Sequence, residues 1–213
     1  MAGFKNAEGK VIVMNMIKAI QDNKEYLSEV DGAIGDGDHG INMNKGFSLC
    51  EARIRNEDIP FAEALDTLGT VLFTEIGGSM GPLYGTLFMQ MGEVIDGKEV
   101  IDEAEFMAML KAAVDGLHEI VEAKVGDKTL MDALMPAEAA FGQAVADGKS
   151  FTEALDAMKK ATQEGRDYTV DLVAKFGRAS RLGDRSKGVL DAGATSCALI
   201  LTTMADTVKT LLA

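Results

Sequence analysis

Apolar residues recur at helical spacing along almost the whole chain, and the alternation of β-branched residues that marks strands is nearly absent. Met14, Ile17, Ile20 and Tyr26–Leu27 mark a first helix. Phe61, Leu65, Leu68, Val71 and Leu72 mark another, directly after Pro60. Asp102 and Glu105 have capping-box spacing before Phe106, Met109, Leu110, Val114 and Leu117, and Ser150 and Glu153 repeat it before Leu155 and Met158. The last helix is expected to begin near Gly193 and to carry Leu199, Leu201, Met204, Val208 and Leu211. With the segments after Gly40, Pro82 and Thr129, the count reaches about eight. The expected fold is all-α, about eight antiparallel helices in a bundle or barrel. No repeat or Pro/Ser-rich linker divides the 213 residues, so residues 1–213 read as a single domain.

The glycines are not spread evenly. They gather around residues 32–40, 77–85, 126 and 183–193, between the helical segments, and three of these loops also carry Asp. Glycine lets a backbone come close to a ligand, so chemistry is to be sought there.

The sharpest cluster is Asp31-Gly-Ala-Ile-Gly35-Asp36-Gly37-Asp38-His39-Gly40. Carboxylates packed this tightly repel one another unless a cation joins them, and the interleaved glycines let a short loop fold so that their oxygens converge. Such hard donors favour magnesium, manganese or calcium over zinc. The loop is not an EF-hand. Counted from Asp31, the sixth residue is Asp36 rather than Gly, and the twelfth is Asn42 rather than Glu. His39 is expected to contact a ligand rather than carry a phosphoryl group, because the adjacent carboxylates favour imidazolium, a poor nucleophile.

Gly77-Gly78-Ser79-Met80-Gly81-Pro82 leads into a helix with Pro82 in its first turn, which leaves amides and the Ser79 hydroxyl facing an anion such as phosphate. No Walker loop is present. Gly126-Asp127-Lys128-Thr129 precedes another helix, with Thr129 as the expected N-cap and Asp132 in the first turn. Arg178, Arg181, Asp184, Arg185 and Lys187, followed by Asp191-Ala192-Gly193-Ala194, form the most basic short stretch. This stretch suits an anion, and local pairing of its arginines with Asp184 and Asp191 would look the same in sequence.

Composition narrows the function. Twenty-one basic against 34 acidic residues leave a formal charge of −13, which disfavours nucleic acid and anionic membrane surfaces. No apolar run approaches the roughly 20 residues that span a bilayer, and the first ten residues lack a secretory h-region. Cys50 and Cys197 are isolated, without zinc spacing, and read as buried thiols of a cytoplasmic protein.

Four stretches together are specific: Gly35–Gly40, Gly77–Gly85, Gly126–Thr129, and Arg178–Ser186 followed by Asp191–Thr195. In this order they resemble the ADP-binding L subunits of dihydroxyacetone kinases. The resemblance implies an eight-helix barrel with ADP or ATP clamped at one end by two magnesium ions. Asp31, Asp36 and Asp38 would hold the metal. His39, Gly40, Ile41, Asn42, Ser79, Met80, Gly126, Leu130, Arg178, Asp191, Ala192 and Gly193 would contact the nucleotide. No side chain is expected to act as a covalent catalyst, since phosphoryl transfer depends on positioning and charge neutralisation. The resemblance also implies two partners, an M subunit that donates from a phosphohistidine and a K subunit that holds dihydroxyacetone. Two positions depart from the family pattern: Met80 stands where a small residue is expected, and Ala192 where proline is frequent.

Two other readings remain open at this level. One is an ATP-dependent kinase subunit for another short sugar or an acyl acceptor. The other is a nucleotide-bound regulator that binds a transcription factor.

Overall fold

The computed structural model describes residues 2–213. Among them are nine α-helices: α1 (Lys10–Asp22), α2 (Lys24–Gly32), α3 (His39–Ile54), α4 (Phe61–Glu75), α5 (Met80–Val94), α6 (Glu103–His118), α7 (Met131–Ala146), α8 (Phe151–Tyr168) and α9 (Ala192–Leu212). Eight of them form a closed ring in which each packs on the next, in the order α1, α3, α4, α5, α6, α7, α8, α9 and back to α1. The extra helix, α2, lies against α3 and α9. The expected all-α barrel is therefore what the chain forms.

The periodic apolar residues face one continuous core. Phe61, Leu65, Leu68, Val71 and Leu72 of α4 are all fully buried there, as are Phe106, Met109 and Leu110 of α6. Three phenylalanines from α6, α7 and α8 cluster with ring centroids 5.1–5.9 Å apart, joining Phe106, Phe141 and Phe151. The most extensive helix contact is between α4 and α5, where glycine makes room for backbone against backbone. A Cβ on Gly69 would stand 2.8 Å from the Gly85 carbonyl oxygen, and one on Gly85 would stand 3.0 Å from that of Gly69.

Local signals explain most helix ends. Ser150 and Glu153 form the reciprocal capping box that starts α8. Asp102 caps α6 by accepting from the Ala104 and Glu105 amides, but Glu105 turns away to Lys98, so no reciprocal box forms. The single first helix expected from sequence is two. Asn23 breaks it by turning its side-chain amide back to the Ala19 carbonyl at 2.9 Å, which ends α1 and restarts the chain as α2. A two-stranded antiparallel sheet, β1 (Gly3–Lys5) with β2 (Val100–Asp102), was not expected either; it pairs Phe4 with Ile101.

α7 carries Pro136 in its interior. Proline has no N–H for the carbonyl four residues back, that of Asp132. Against this carbonyl α8 brings Gly165, so closely that a Cβ there would lie 2.0 Å from the oxygen. The pair seats the first turn of α7 tightly on α8, which matters for the loop that precedes it.

Candidate functional site

The helices α3, α5, α7 and α9 all begin at the glycine-rich loops, and side chains from the first two turns of α3 and α5, with the residue before α7, reach the start of α9. From α3, His39 Nε2 lies 2.8 Å from Ser196 Oγ. From α5, the Tyr84 hydroxyl donates to the Gly193 carbonyl at 3.0 Å and lies 2.6 Å from the same Ser196 oxygen. From α7, Leu130 packs on Gly193, where an added Cβ would be 3.3 Å from the Leu130 amide nitrogen. The first amides of an α-helix have no intrahelical partner, and the helix dipole is positive at that end. Four such ends gathered together suit an anion even in a chain of formal charge −13.

Beside them stands the acidic loop. One carboxylate oxygen from each of Asp31, Asp36 and Asp38 lies within 4.8 Å of the others, with Asp31 half-buried and the other two exposed. The glycines make this arrangement possible. A Cβ on Gly35 would sit 2.3 Å from Asp31 Oδ1, and Gly37 has φ +75°, a region that side-chain-bearing residues avoid. Asp31 is oriented by the His39 amide, which donates to Oδ2 at 3.2 Å. Asp38 precedes α3 without capping it, so its carboxylate stays free to face its neighbours. Its pKa is raised, first by partial desolvation and then by the Asp36 and Asp31 charges. Hard oxygen donors this close together, with no lysine among them, fit magnesium.

The 126–132 segment forms a wall of the same end. Asp132 is fully buried and accepts from the Gly126 amide at 2.6 Å and the Thr129 amide at 2.7 Å. The helix starts one residue later than expected, at Met131. Thr129 contributes its hydroxyl to the Met131 amide at 3.2 Å rather than serving as the N-cap residue itself. Asp191 does cap α9, accepting from the Ala194 amide at 2.7 Å. Burial pushes the Asp191 carboxyl up to about 7, against the Ala194 bond and Lys128, which pull it down.

One expectation from sequence is corrected, and one alternative that the sequence left open does not form. His39 is not held as imidazolium: burial pushes its pKa down to about 4, outweighing Asp31. Proximity along the chain suggested the opposite, but the ring turns to Ser196 and is partly buried there. The arginines of the 178–187 stretch do not pair with Asp184 or Asp191 among the described residues; Arg178 instead reaches the acidic loop and pairs with Asp36 at 2.5 Å.

The remaining candidates are less closely tied. Gly40 is buried on α2, where a Cβ would meet the Lys24 carbonyl oxygen at 2.1 Å. Ile41 is exposed and Asn42 half-buried on the first turn of α3. Ser79 is exposed, and its hydroxyl makes no capping bond; Met80 is buried, and Gly77 and Gly78 before them have open space around them. These α5 residues join the others through Tyr84, one turn further on. Ala192 is buried between Asp191 and Gly193. Sequence reasoning did not single out Tyr84, Ser196 and Lys128, although Tyr84 and Lys128 lie inside the stretches that it quoted.

The DAK2-domain family profile matches residues 33–206, a span that includes Asp36, Asp38 and every helix from α3 to α8. The chain belongs to the DAK2 family. It is 39% identical over 189 residues to the ADP-binding subunit DhaL of PEP-dependent dihydroxyacetone kinase 1 of Listeria innocua, covering 88% of this chain and 89% of that one. To the ADP-binding subunit DhaL of the PEP-dependent dihydroxyacetone kinase of Escherichia coli K12 it is 35% identical, covering 85% and 87%. A D-erythrulose kinase of Mycolicibacterium smegmatis is 35% identical over 91% of this chain, which spans only 34% of that protein. In fold, this DAK2 chain resembles the dihydroxyacetone kinase of C. freundii, with a TM-score of 0.72 at 23% identity over 97% of this chain and 36% of the other. No helix among the described residues is long and apolar enough to cross a membrane.

Proposed function

We propose that this chain is the ADP-binding subunit of a PEP-dependent dihydroxyacetone kinase, with residues 1–213 acting as one nucleotide-binding domain. The observation that carries this reading is the meeting of four helix N-termini beside the Asp31–Asp36–Asp38 trio. A nucleoside diphosphate presents phosphates to amide ends on one side and to a metal-holding loop on the other. The names of the Listeria and E. coli relatives support the same reading.

Asp31, Asp36 and Asp38 would hold two magnesium ions, and magnesium when bound neutralises phosphate charge and polarises a phosphoryl oxygen. His39 to Asn42, Ser79, Met80, Gly126, Leu130, Arg178 and Asp191 to Gly193 would bind and orient the nucleotide. Neutral His39 and exposed Ser79 can donate hydrogen bonds, and Arg178 can meet a phosphate as a charged fork. The phosphoryl group would come from a phosphohistidine on an M-type subunit onto retained ADP. It would then pass to dihydroxyacetone on a K-type subunit. We place the relay in the cytoplasm, where Cys50 and Cys197, both free and buried, stay reduced.

A second reading, an ATP-dependent kinase module for another short ketose, is favoured by the relatives named as erythrulose kinases. One experiment separates the two. The protein is loaded with radiolabelled ADP, supplied with K and M partners and phosphoenolpyruvate-driven phosphoryl donors, and chased with unlabelled ADP. Label retained over many turnovers is the expected result. Label exchanged once per product, with full activity from ATP without the M partner, overturns the coenzyme role.

A further inference from the structure

Lys128 has no part in the reading above, yet it is the most unusual side chain near the site. It is 1% exposed, one of the largest fully buried side chains in the protein, and the only non-glycine with positive φ, at 61°, among the described residues. A lysine accepts neither burial nor that backbone region without cause. Its ammonium donates to the Thr169 carbonyl and to the Val189 carbonyl, both at 2.6 Å. These carbonyls belong to two other segments: the turn that ends α8 and the strand of loop leading into α9.

The segments are knitted further around it. The Asp191 amide donates to Thr169 Oγ1 at 3.0 Å, and the Gly188 amide to the Val170 carbonyl at 2.8 Å. On the far side of Lys128, Asp127 accepts from the Lys175 ammonium at 2.6 Å, which fixes the chain three residues before Arg178. Thus one buried cation ties the 126–130 loop, the end of α8 and residues 188–191 together. Every candidate nucleotide contact on this side, Gly126, Leu130 and Asp191 to Gly193, lies within two residues of one of these ties.

We propose that Lys128 is a positioning residue for the nucleotide: its ammonium sets the distance between the 126–130 loop and the first turn of α9. The inference rests on the nucleotide-binding reading and extends it to a residue that need not touch the ligand. Without the ammonium, two carbonyls lose their donor, and the three segments lose the one atom they share. No hydrogen bond or ion pair among the described residues joins the acidic loop to Lys128, so its geometry is expected to persist.

The test is calorimetric titration of the full chain with ADP at saturating magnesium, and with magnesium alone, for wild type, Lys128→Met and Lys128→Arg. Lys128→Met is expected to raise the ADP Kd at least tenfold and to leave magnesium-only binding within twofold. Lys128→Arg, which can still donate to both carbonyls, is expected to recover to within fivefold of wild type. A wild-type Kd in Lys128→Met overturns the inference, as does no recovery in Lys128→Arg or an equal loss of magnesium-only binding. A wild-type protein that binds no ADP removes the functional reading itself, and this inference with it. Should Lys128→Met fail to fold, hydrogen exchange on the wild-type chain decides. ADP is expected to protect residues 126–130, 169–170 and 188–194 as one unit, and protection confined to one of the three overturns the proposal.

Discussion

Arg178 Nη1 and Asp36 Oδ2 form an ion pair at 2.5 Å, joining a residue expected to meet the nucleotide to one expected to meet the metal. The pair gives the acidic loop a positive partner of its own, about two-thirds exposed on the arginine side. The same guanidinium cannot fully serve Asp36 and a phosphate at once. Arg178→Ala is therefore expected to move two affinities in opposite directions. ADP binding weakens, while magnesium binding without nucleotide tightens by up to about fivefold, the scale of a solvent-screened pair worth less than about 1 kcal/mol. Titrations at low and high salt check this, since the magnesium effect should shrink as salt rises. A fall in both affinities would count against the exchange.

The trio itself makes a sharper demand. Asp36→Asn or Asp38→Asn is expected to abolish phosphoryl transfer with the helical circular dichroism intact. In EDTA Asp38→Asn should be slightly more stable than wild type, by a few tenths of a kcal/mol to about 1 kcal/mol, because a mutually repelling charge is gone, whereas Asp36→Asn also loses the Arg178 pair and should change little. Adding magnesium and ADP at about 100 times Kd should stabilise wild type by roughly 2.7 kcal/mol and the variants by far less. Thermal melts in EDTA, in magnesium, in ADP and in both ligands together measure both signs.

Gly35 offers a substitution that adds a methyl group and changes no charge. The added Cβ would fall 2.3 Å from Asp31 Oδ1, so the carboxylate must swing away from the other two. Gly35→Ala is expected to weaken magnesium binding at least tenfold while changing stability in EDTA by less than about 1 kcal/mol, as befits a surface loop. Unchanged metal affinity would mean that the loop adapts and Asp31 is not held by this contact.

Asp191 predicts a pH dependence. Its carboxyl is pushed up to about 7 by burial, above the unfolded value of 3.8. Between those two values the folded chain binds more protons than the unfolded chain, so stability falls as pH rises through the window and is level above it. Asn keeps the N-cap function without titrating. The stability of wild type relative to Asp191→Asn, measured in EDTA by denaturant melts, should therefore decline from pH 4.5 to pH 8. The expected decline is on the order of 1–2 kcal/mol, discounted for the part of the carboxyl still in water. An opposite slope would show that Lys128 outweighs burial at this site.

What could be read from sequence was what depends on neighbours in the chain. Helical periodicity is local, and so are the glycine–aspartate loops; the trio from Asp31 to Asp38 was legible for that reason. The break at Asn23 was missed because apolar spacing continues through it to Leu27, and only the side chain's return to Ala19 ends the helix. The β1–β2 pair escaped because two three-residue strands carry too few residues to show a period. His39 was misread because sequence shows its charged neighbours but not its burial against Ser196, 157 residues away. Lys128 was invisible for the same reason: its two acceptors lie 41 and 61 residues downstream.

The contact between α1 and α9 has a consequence for how such a chain can be joined to others. Asn15 of α1 donates to Thr207 of α9 at 3.0 Å, while β1 also touches α9, so the opening and closing segments run side by side. In topological terms the helices make a loop with a removable seam rather than a line with two ends. A circular permutant sealed at that seam and opened at the exposed Gly148 turn, where φ is +74°, should retain the same ring. The seam also lies along helix flanks and away from the four converging N-termini. A neighbour fused there would stand clear of the glycine-rich loops, so this architecture serves equally well as a separate part or as one segment of a larger polypeptide.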